Sequence, residues 1–217
     1  MTSESGFLND IEVDALTELV NIGVSRAAAS FRQMVGRPVL LSVPAIDVTT
    51  RRTAAALLAE REVGPLVAVS QEFEGAFGGR ALLIFPQTNS LALARAVTGD
   101  EIADDDLADL EDEALKETGN VILTNCLATM ANILQRPVHM SVPTLLREDE
   151  AMLFARTPEA SDGSGAVLFL YINFVISDRD IRGYIAVLMD VPSLEALRMV
   201  IVEFIERVVG RPRASTS

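Results

Sequence analysis

The stretch "DALTELVNIG", residues 14–23, decides the fold, because its pattern returns in the second half of the chain as "EALKETGNVI", residues 113–122. Residues three and four positions apart lie on the same face of an α-helix. Both copies therefore predict a helix with a polar triplet on one face. The triplets are Asp14, Glu18 and Asn21 in the first copy, and Glu113, Glu117 and Asn120 in the second.

The repeat extends well beyond these helices. The offset of 99 residues also relates "GRPVLLSVP" (36–44) to "QRPVHMSVP" (135–143), so that Pro44 corresponds to Pro143. Further on, "SLALARAV" (90–97) matches "SLEALRMV" (193–200) at an offset of 103. We place the four inserted residues in the loop 155–166, which is rich in Pro, Gly and Ser. The pattern predicts one domain over residues 1–217, made of two repeats, about 8–100 and 104–210.

Each repeat predicts the same order of elements, α-β-β-β-α. Hydrophobic periodicity indicates long helices over residues 9–35 and 105–135 and closing helices near 88–98 and 192–207. Strands are predicted to end at the two prolines, and further strands at 64–75 and 79–86, and at 166–177 and 182–191. We expect an α+β fold with pseudo-twofold symmetry and one central mixed or antiparallel sheet. The alternation in "VAVSQEFEG" predicts a strand with one solvated face.

A helical wheel places each triplet within an arc of about 60°. The apolar residues of the first helix lie on the opposite side, among them Leu16, Leu19 and Val20. A polar face opposite an apolar one is what any surface helix shows, so a solvated face is one interpretation. Asn is, however, a poor helix former beside Glu or Lys, and it occupies the same mid-helix position twice. This favours a function for the carboxamide itself and leaves both interpretations open.

Composition excludes several classes of function. The net charge is −13, with a single lysine, which disfavours nucleic acid as a partner. The only histidine, His139, has no neighbouring ligand set, so neither a metal site nor a Ser–His nucleophile is predicted. The only cysteine, Cys126, has small and apolar neighbours and is interpreted as a packing residue. No apolar run is long enough to span a bilayer, and the N-terminus does not resemble a signal peptide, so we expect a cytoplasmic protein.

The two motifs resemble the signature of the CheC/CheX/FliY phosphatases of bacterial chemotaxis. That signature is Asp or Ser, three residues, Glu, two residues, Asn, twenty-two residues and Pro. The chain fits it from Asp14 to Pro44 and again up to Pro143, except that Glu113 replaces the usual Asp or Ser. Two complete copies at this length are most similar to the CheC type. The longer side chain of Glu113 leaves open whether both sites are active.

The resemblance implies dephosphorylation of the aspartyl phosphate of a CheY-type response regulator. Asn21 and Asn120 would orient the attacking water, and Glu18 and Glu117 would pair with the regulator's lysine. Asp14 and Glu113 would be supporting contacts, and Pro44 and Pro143 would shape the chain where a strand ends. No cofactor of the protein's own is implied, because the receiver is expected to hold the Mg²⁺.

The resemblance also leaves two other functions open. Some family members bind the receptor deamidase CheD, so the protein could be an adaptor with weak catalysis. It could also be a non-catalytic component similar to the flagellar switch proteins. The intact pairs of Glu and Asn favour the phosphatase over this last interpretation.

Overall fold

The computed structural model describes residues 8–99, 104–155, 166–176 and 179–210. The first half contains α1 (Asp10–Val35), β1 (Val39–Thr50), α2 (Arg51–Arg61), β2 (Leu66–Gly75), β3 (Gly79–Pro86) and α3 (Ser90–Thr98). The second half contains α4 (Asp104–Leu134), β4 (Val138–Met140), β5 (Thr144–Glu148), α5 (Glu150–Ala155), β6 (Ala166–Ile176), β7 (Arg179–Met189) and α6 (Val191–Val209). The predicted insertion loop lies outside the described residues, apart from its two ends.

Local signals set the ends of α1 close to the predicted bounds. Asn9 caps the N-terminus in a capping box, in which its side chain accepts from the backbone N–H of Glu12 and the Glu12 carboxylate accepts from the backbone N–H of Asn9. Gly36 ends the helix in the left-handed conformation, with φ of 66°. The buried Glu12 carboxylate also accepts a hydrogen bond of 2.9 Å from Nε of Arg198, which connects α1 to α6.

The seven strands form one sheet in the order β1-β6-β7-β3-β2-β4, with β5 also paired to β2. Every pairing is antiparallel. The two halves of the chain contribute equivalent strands: β1 corresponds to β4 and β5, β2 to β6, and β3 to β7. When each strand is replaced by its equivalent, the same strand order is obtained, read in reverse. This is the relation that pseudo-twofold symmetry requires, with the β3–β7 pair at the centre, so the predicted α+β class and its central antiparallel sheet are confirmed.

The prediction of one solvated sheet face is wrong for β2. Residues 66–71 of this strand are all buried, because helices cover both faces of the sheet. One face packs with α1, α4 and α6 in the larger core cluster, and the other packs with α2 and α5 around Phe169. Only the end of β2 alternates, where Glu72 is exposed and Phe73 is buried.

Two helices, α2 and α5, were not predicted. The hypothesis that a strand ends at Pro44 is also wrong, since β1 continues to Thr50 and is followed at once by α2. The pairing of β1 with β6 shifts register between Ser42 and Ala45, and an irregularity of this kind accommodates a residue without an N–H. In the second half the strand does end before the proline, because Pro143 lies between β4 and β5.

None of the helices in the described part of the chain combines the length and the apolar character that a membrane crossing requires.

Candidate functional site

The first triplet forms an exposed row on α1, which we call the first stripe and define as Asp14, Glu18 and Asn21. The opposite side of α1 is buried and contributes Leu16, Leu19, Val20, Gly23 and Ala27 to the core. The predicted separation of polar and apolar faces is therefore confirmed for this helix. The stripe faces the solvent on a helix that is capped at both ends.

The second triplet lies on α4 and differs in one respect. Glu113 and Glu117 are exposed, but Asn120 is only half-exposed. These three residues are defined as the second stripe. The predicted polar face is again present, while its asparagine lies closer to the sheet than Asn21 does.

The carboxylates of both stripes are available to a partner. Within the described residues, Asp14, Glu18, Glu113 and Glu117 form no hydrogen bond or ion pair with another side chain. Other acidic side chains on α4 are engaged, since Nη2 of Arg147 lies 2.7 Å from Asp112 and 3.3 Å from Glu111. The hydrogen bond to Asp112 raises the pKa of Arg147.

The side chain of Asn120 takes part in a hydrogen-bond network. Its Oδ1 accepts from Nε2 of Gln71 at 3.1 Å and from Oγ1 of Thr124 at 3.3 Å. The same Nε2 of Gln71 donates to the backbone carbonyl of Ser141 at 3.0 Å. Ser141 begins the "SVP" segment that ends at Pro143, so the network brings the predicted helix residue and the predicted proline segment together.

Asn21 has no comparable network. Its backbone carbonyl accepts a hydrogen bond of 2.7 Å from Oγ of Ser25, but its carboxamide has no hydrogen-bond partner in the described part of the chain. The two asparagines therefore share a sequence position but not an environment.

The residue that precedes each asparagine in the sequence explains why Asn21 and Asn120 have different environments. Gly119 lies so close to β2 that a Cβ there would be 2.3 Å from Cγ1 of Val69. The corresponding residue of α1 is Val20, which occupies space that Gly119 leaves to the sheet. Because residue 119 has no side chain, α4 packs directly against β2, and Asn120 lies beside Gln71.

Three residues of this network were not predicted from sequence, namely Gln71, Thr124 and Ser141. One signal was present for Gln71. It lies between Val69 and Phe73 in the alternation of "VAVSQEFEG", at a position where an apolar residue is expected. A polar residue at a core position of a strand indicates a buried partner, because a buried amide needs hydrogen bonds. No local pattern identifies that partner.

Cys126 lies in the contact between the two motif helices. A Cβ on Gly23 of α1 would be 2.9 Å from the backbone oxygen of Cys126 and 3.1 Å from its Sγ, so α1 and α4 approach closely here. Burial raises the pKa of Cys126 to about 12. The interpretation of Cys126 as a packing residue agrees with this environment.

We expect the Cys126 thiol to be unreactive in the folded protein. Because its pKa is raised from 9.0 to about 12, the thiolate fraction at pH 8 should be about 1,000-fold smaller than in the unfolded chain. A thiol-specific disulfide reagent, followed by absorbance, should react slowly with native protein and rapidly with protein unfolded in urea. Equal rates in the two states would contradict this expectation.

His139 is exposed on β4, where it pairs with Glu74 of β2. In the part of the chain that the structure describes, no group of three or more His, Cys, Asp or Glu residues is arranged to hold a metal ion.

Comparison with known proteins agrees with this architecture at low identity. No protein-family model matches the chain. It is 23% identical over 138 residues to the flagellar motor switch phosphatase FliY of Bacillus subtilis, and 24% identical over 141 residues to the CheY-P phosphatase CheC of the same organism. Each alignment covers 63% of this chain, but only 35% of FliY and 66% of CheC.

Solved structures share the fold. FliY of Thermotoga maritima superposes with a TM-score of 0.72 at 16% identity, covering 91% of this chain and 98% of that one. The FliM middle domain from H. pylori superposes with a TM-score of 0.58 at 13% identity, covering 89% of this chain and 99% of that one. The fold is similar to that of chemotaxis phosphatases and flagellar switch proteins. The curated matches and the shared fold relate the chain to the CheC/CheX/FliY family at low sequence identity.

Proposed function

We propose that the protein is a phosphatase that hydrolyses the aspartyl phosphate of a CheY-type receiver domain. The observation that supports this most is the pair of stripes, in which an unengaged, exposed glutamate precedes an asparagine by one helical turn. The similarity to CheC of Bacillus subtilis, a CheY-P phosphatase, supports the same reaction.

The reaction requires few catalytic groups from the phosphatase itself. An aspartyl phosphate is a mixed anhydride, and a receiver domain supplies Mg²⁺ and a lysine that stabilise the transferring phosphoryl group. What remains is to hold a water in line with the phosphorus, which is catalysis by positioning. Neither stripe needs a metal or cofactor of its own for this step.

An asparagine suits the positioning of water. Its carbonyl oxygen can accept a hydrogen from the water while its NH₂ group donates to a neighbouring acceptor. The carboxamide carries no charge, so it does not repel the phosphoryl oxygens. We assign this role to Asn21 and Asn120.

The glutamates supply affinity and register. Glu18 and Glu117 are exposed and would pair with the receiver's lysine, as opposite charges at a contact favour a single orientation. Asp14 and Glu113 lie one further turn towards the helix N-terminus and would contact the rim of the receiver. Glu113 is exposed, so its longer side chain would be accommodated at this rim.

A non-catalytic role in binding is the second candidate. The FliM middle domain has the same fold, and its similarity extends over 89% of this chain. A switch component or an adaptor for a deamidase of the CheD type would use the same surfaces to bind without hydrolysis.

The direct test is phosphate release from a phosphorylated receiver. Purified protein at about one-hundredth of the receiver concentration is expected to accelerate release at least tenfold over the receiver alone, with Mg²⁺ present. The Q33A variant provides a matched control, because Gln33 is an exposed residue of α1 outside the first stripe. Binding to the phosphorylated receiver without faster release would favour the non-catalytic candidate.

A further inference from the structure

Gln71 is a polar side chain inside the apolar core. It is 1% exposed and lies on the face of β2 that packs under α4, between Val69 and Phe73. A buried amide at such a position costs free energy unless its hydrogen bonds are satisfied. Among the described residues, its Nε2 donates to Asn120 and Ser141, while its Oε1 is buried without a hydrogen-bond partner.

The orientation of the Gln71 amide follows from Ser141. The backbone carbonyl of Ser141 can only accept, so the group of Gln71 that faces it at 3.0 Å must be the NH₂. The second hydrogen of this NH₂ is directed to Asn120, 3.1 Å away. The atom of Asn120 that receives it must then be the oxygen.

This arrangement occupies the acceptor of Asn120. A carboxamide oxygen has two lone pairs, and both are used, one by Gln71 and one by Thr124 at 3.3 Å. The NH₂ group of Asn120 is the part of the side chain that remains for a partner. In this state the second stripe presents a hydrogen-bond donor.

The first stripe has no such constraint. Asn21 is exposed and its carboxamide is unengaged by the described residues, so it can turn its oxygen towards a water. On β6, the strand that the pseudo-twofold exchange relates to β2, the described buried residues facing the same core are all apolar, among them Leu168, Leu170 and Ile172. Among these described residues of β6, none is a counterpart of Gln71.

We infer that Gln71 is a positioning residue that holds Asn120 with its oxygen inward. Asn21 of the first stripe then orients the hydrolytic water with its oxygen, whereas Asn120 of the second stripe donates from its NH₂ group to the bound phosphoryl group. This inference rests on the proposed phosphatase function. It assigns different tasks to two sites that have the same sequence motif.

The activity test uses backgrounds in which one stripe operates alone. N21A leaves the second stripe and is expected to reduce kcat more than N120A does. Adding Q71M to N21A removes the donor that holds Asn120. The freed carboxamide is then held only by the longer hydrogen bond of 3.3 Å from Thr124, and it can turn its oxygen outward. We expect kcat of N21A/Q71M to exceed that of N21A at least threefold, with KM raised.

The same substitution in the N120A background should change kcat less than twofold, because the asparagine that Gln71 holds is absent. Q87M is the matched control, since Gln87 is an exposed glutamine just beyond the far end of β3. A purely structural role of Gln71 would lower activity in both backgrounds. A fall, or no change, in N21A/Q71M would overturn the inference, as would an N21A variant more active than N120A.

A second measurement does not depend on activity. In ¹⁵N-labelled protein, the side-chain NH₂ protons of Gln71 are expected to exchange with solvent at least 100-fold more slowly than those of Asn120. Rapid exchange at Gln71, or equal protection at Asn120, would overturn the inference. If the wild-type protein does not accelerate phosphate release, the proposed function fails, while the exchange rates still decide whether Gln71 holds Asn120.

Discussion

The double variant N21A/N120A is expected to lose at least about 100-fold in the rate of phosphate release from a phosphorylated receiver, because a small misplacement of a reacting group costs this much. The carboxamides of both stripes are removed, whether they orient the water or donate to the phosphoryl group. The glutamates of the stripes remain, so KM should change far less than kcat. Steady-state release measured over a range of receiver concentrations separates these two effects.

The fold of the double variant should be preserved. Asn21 is exposed and Asn120 half-exposed, and Ala is a better helix former than Asn by a few tenths of a kcal/mol. N132A is the matched control, since Asn132 is an exposed asparagine of α4 outside the second stripe. Retention of wild-type release by the double variant would exclude both asparagines from the mechanism.

Substitution of Gly119 by Ala is expected to lower the free energy of unfolding by about 2 kcal/mol. The new Cβ would lie 2.3 Å from Cγ1 and 2.4 Å from Cβ of Val69, so α4 must move away from β2. This cost exceeds the gain of about 1 kcal/mol that Ala has over Gly in a helix. Urea unfolding followed by circular dichroism measures the difference.

Two further variants isolate the contact. A29G, at an exposed position of α1, calibrates the intrinsic difference between Gly and Ala in this protein. V69A in the G119A background removes the closest atoms and should recover part of the lost stability. If G119A is as stable as the wild type or more so, the close approach of α4 to β2 is not a constraint on the fold.

Local signals account for what could be predicted. The bounds of α1 and α4 were close because long amphipathic periods and caps such as Asn9 and Gly36 act within a few residues. Strands β2 and β3 were recognisable from apolar runs between glycines and prolines. The stripes followed from helical geometry alone, since spacings of three and four place residues on one face wherever the helix is located.

Other elements escaped prediction because their signals were weak or were overridden. The helix α2 is short, carries three consecutive alanines and is weakly amphipathic, so its sequence did not separate it from a loop. Pro44 was read as the end of a strand, but pairing with β6 carries β1 through it with a shift in register. The solvated face predicted for β2 was wrong because alternation in sequence does not report which helices cover the sheet.

By itself the sequence determined two helices that carry equivalent polar triplets, because helix periodicity is a property of the local backbone. Only the tertiary structure decided that these triplets are unequal. Gln71 lies 49 residues from Asn120 and 70 from Ser141, and they meet because Gly119 allows α4 to approach β2. A hydrogen bond between distant residues depends on packing, which repeats in sequence do not specify.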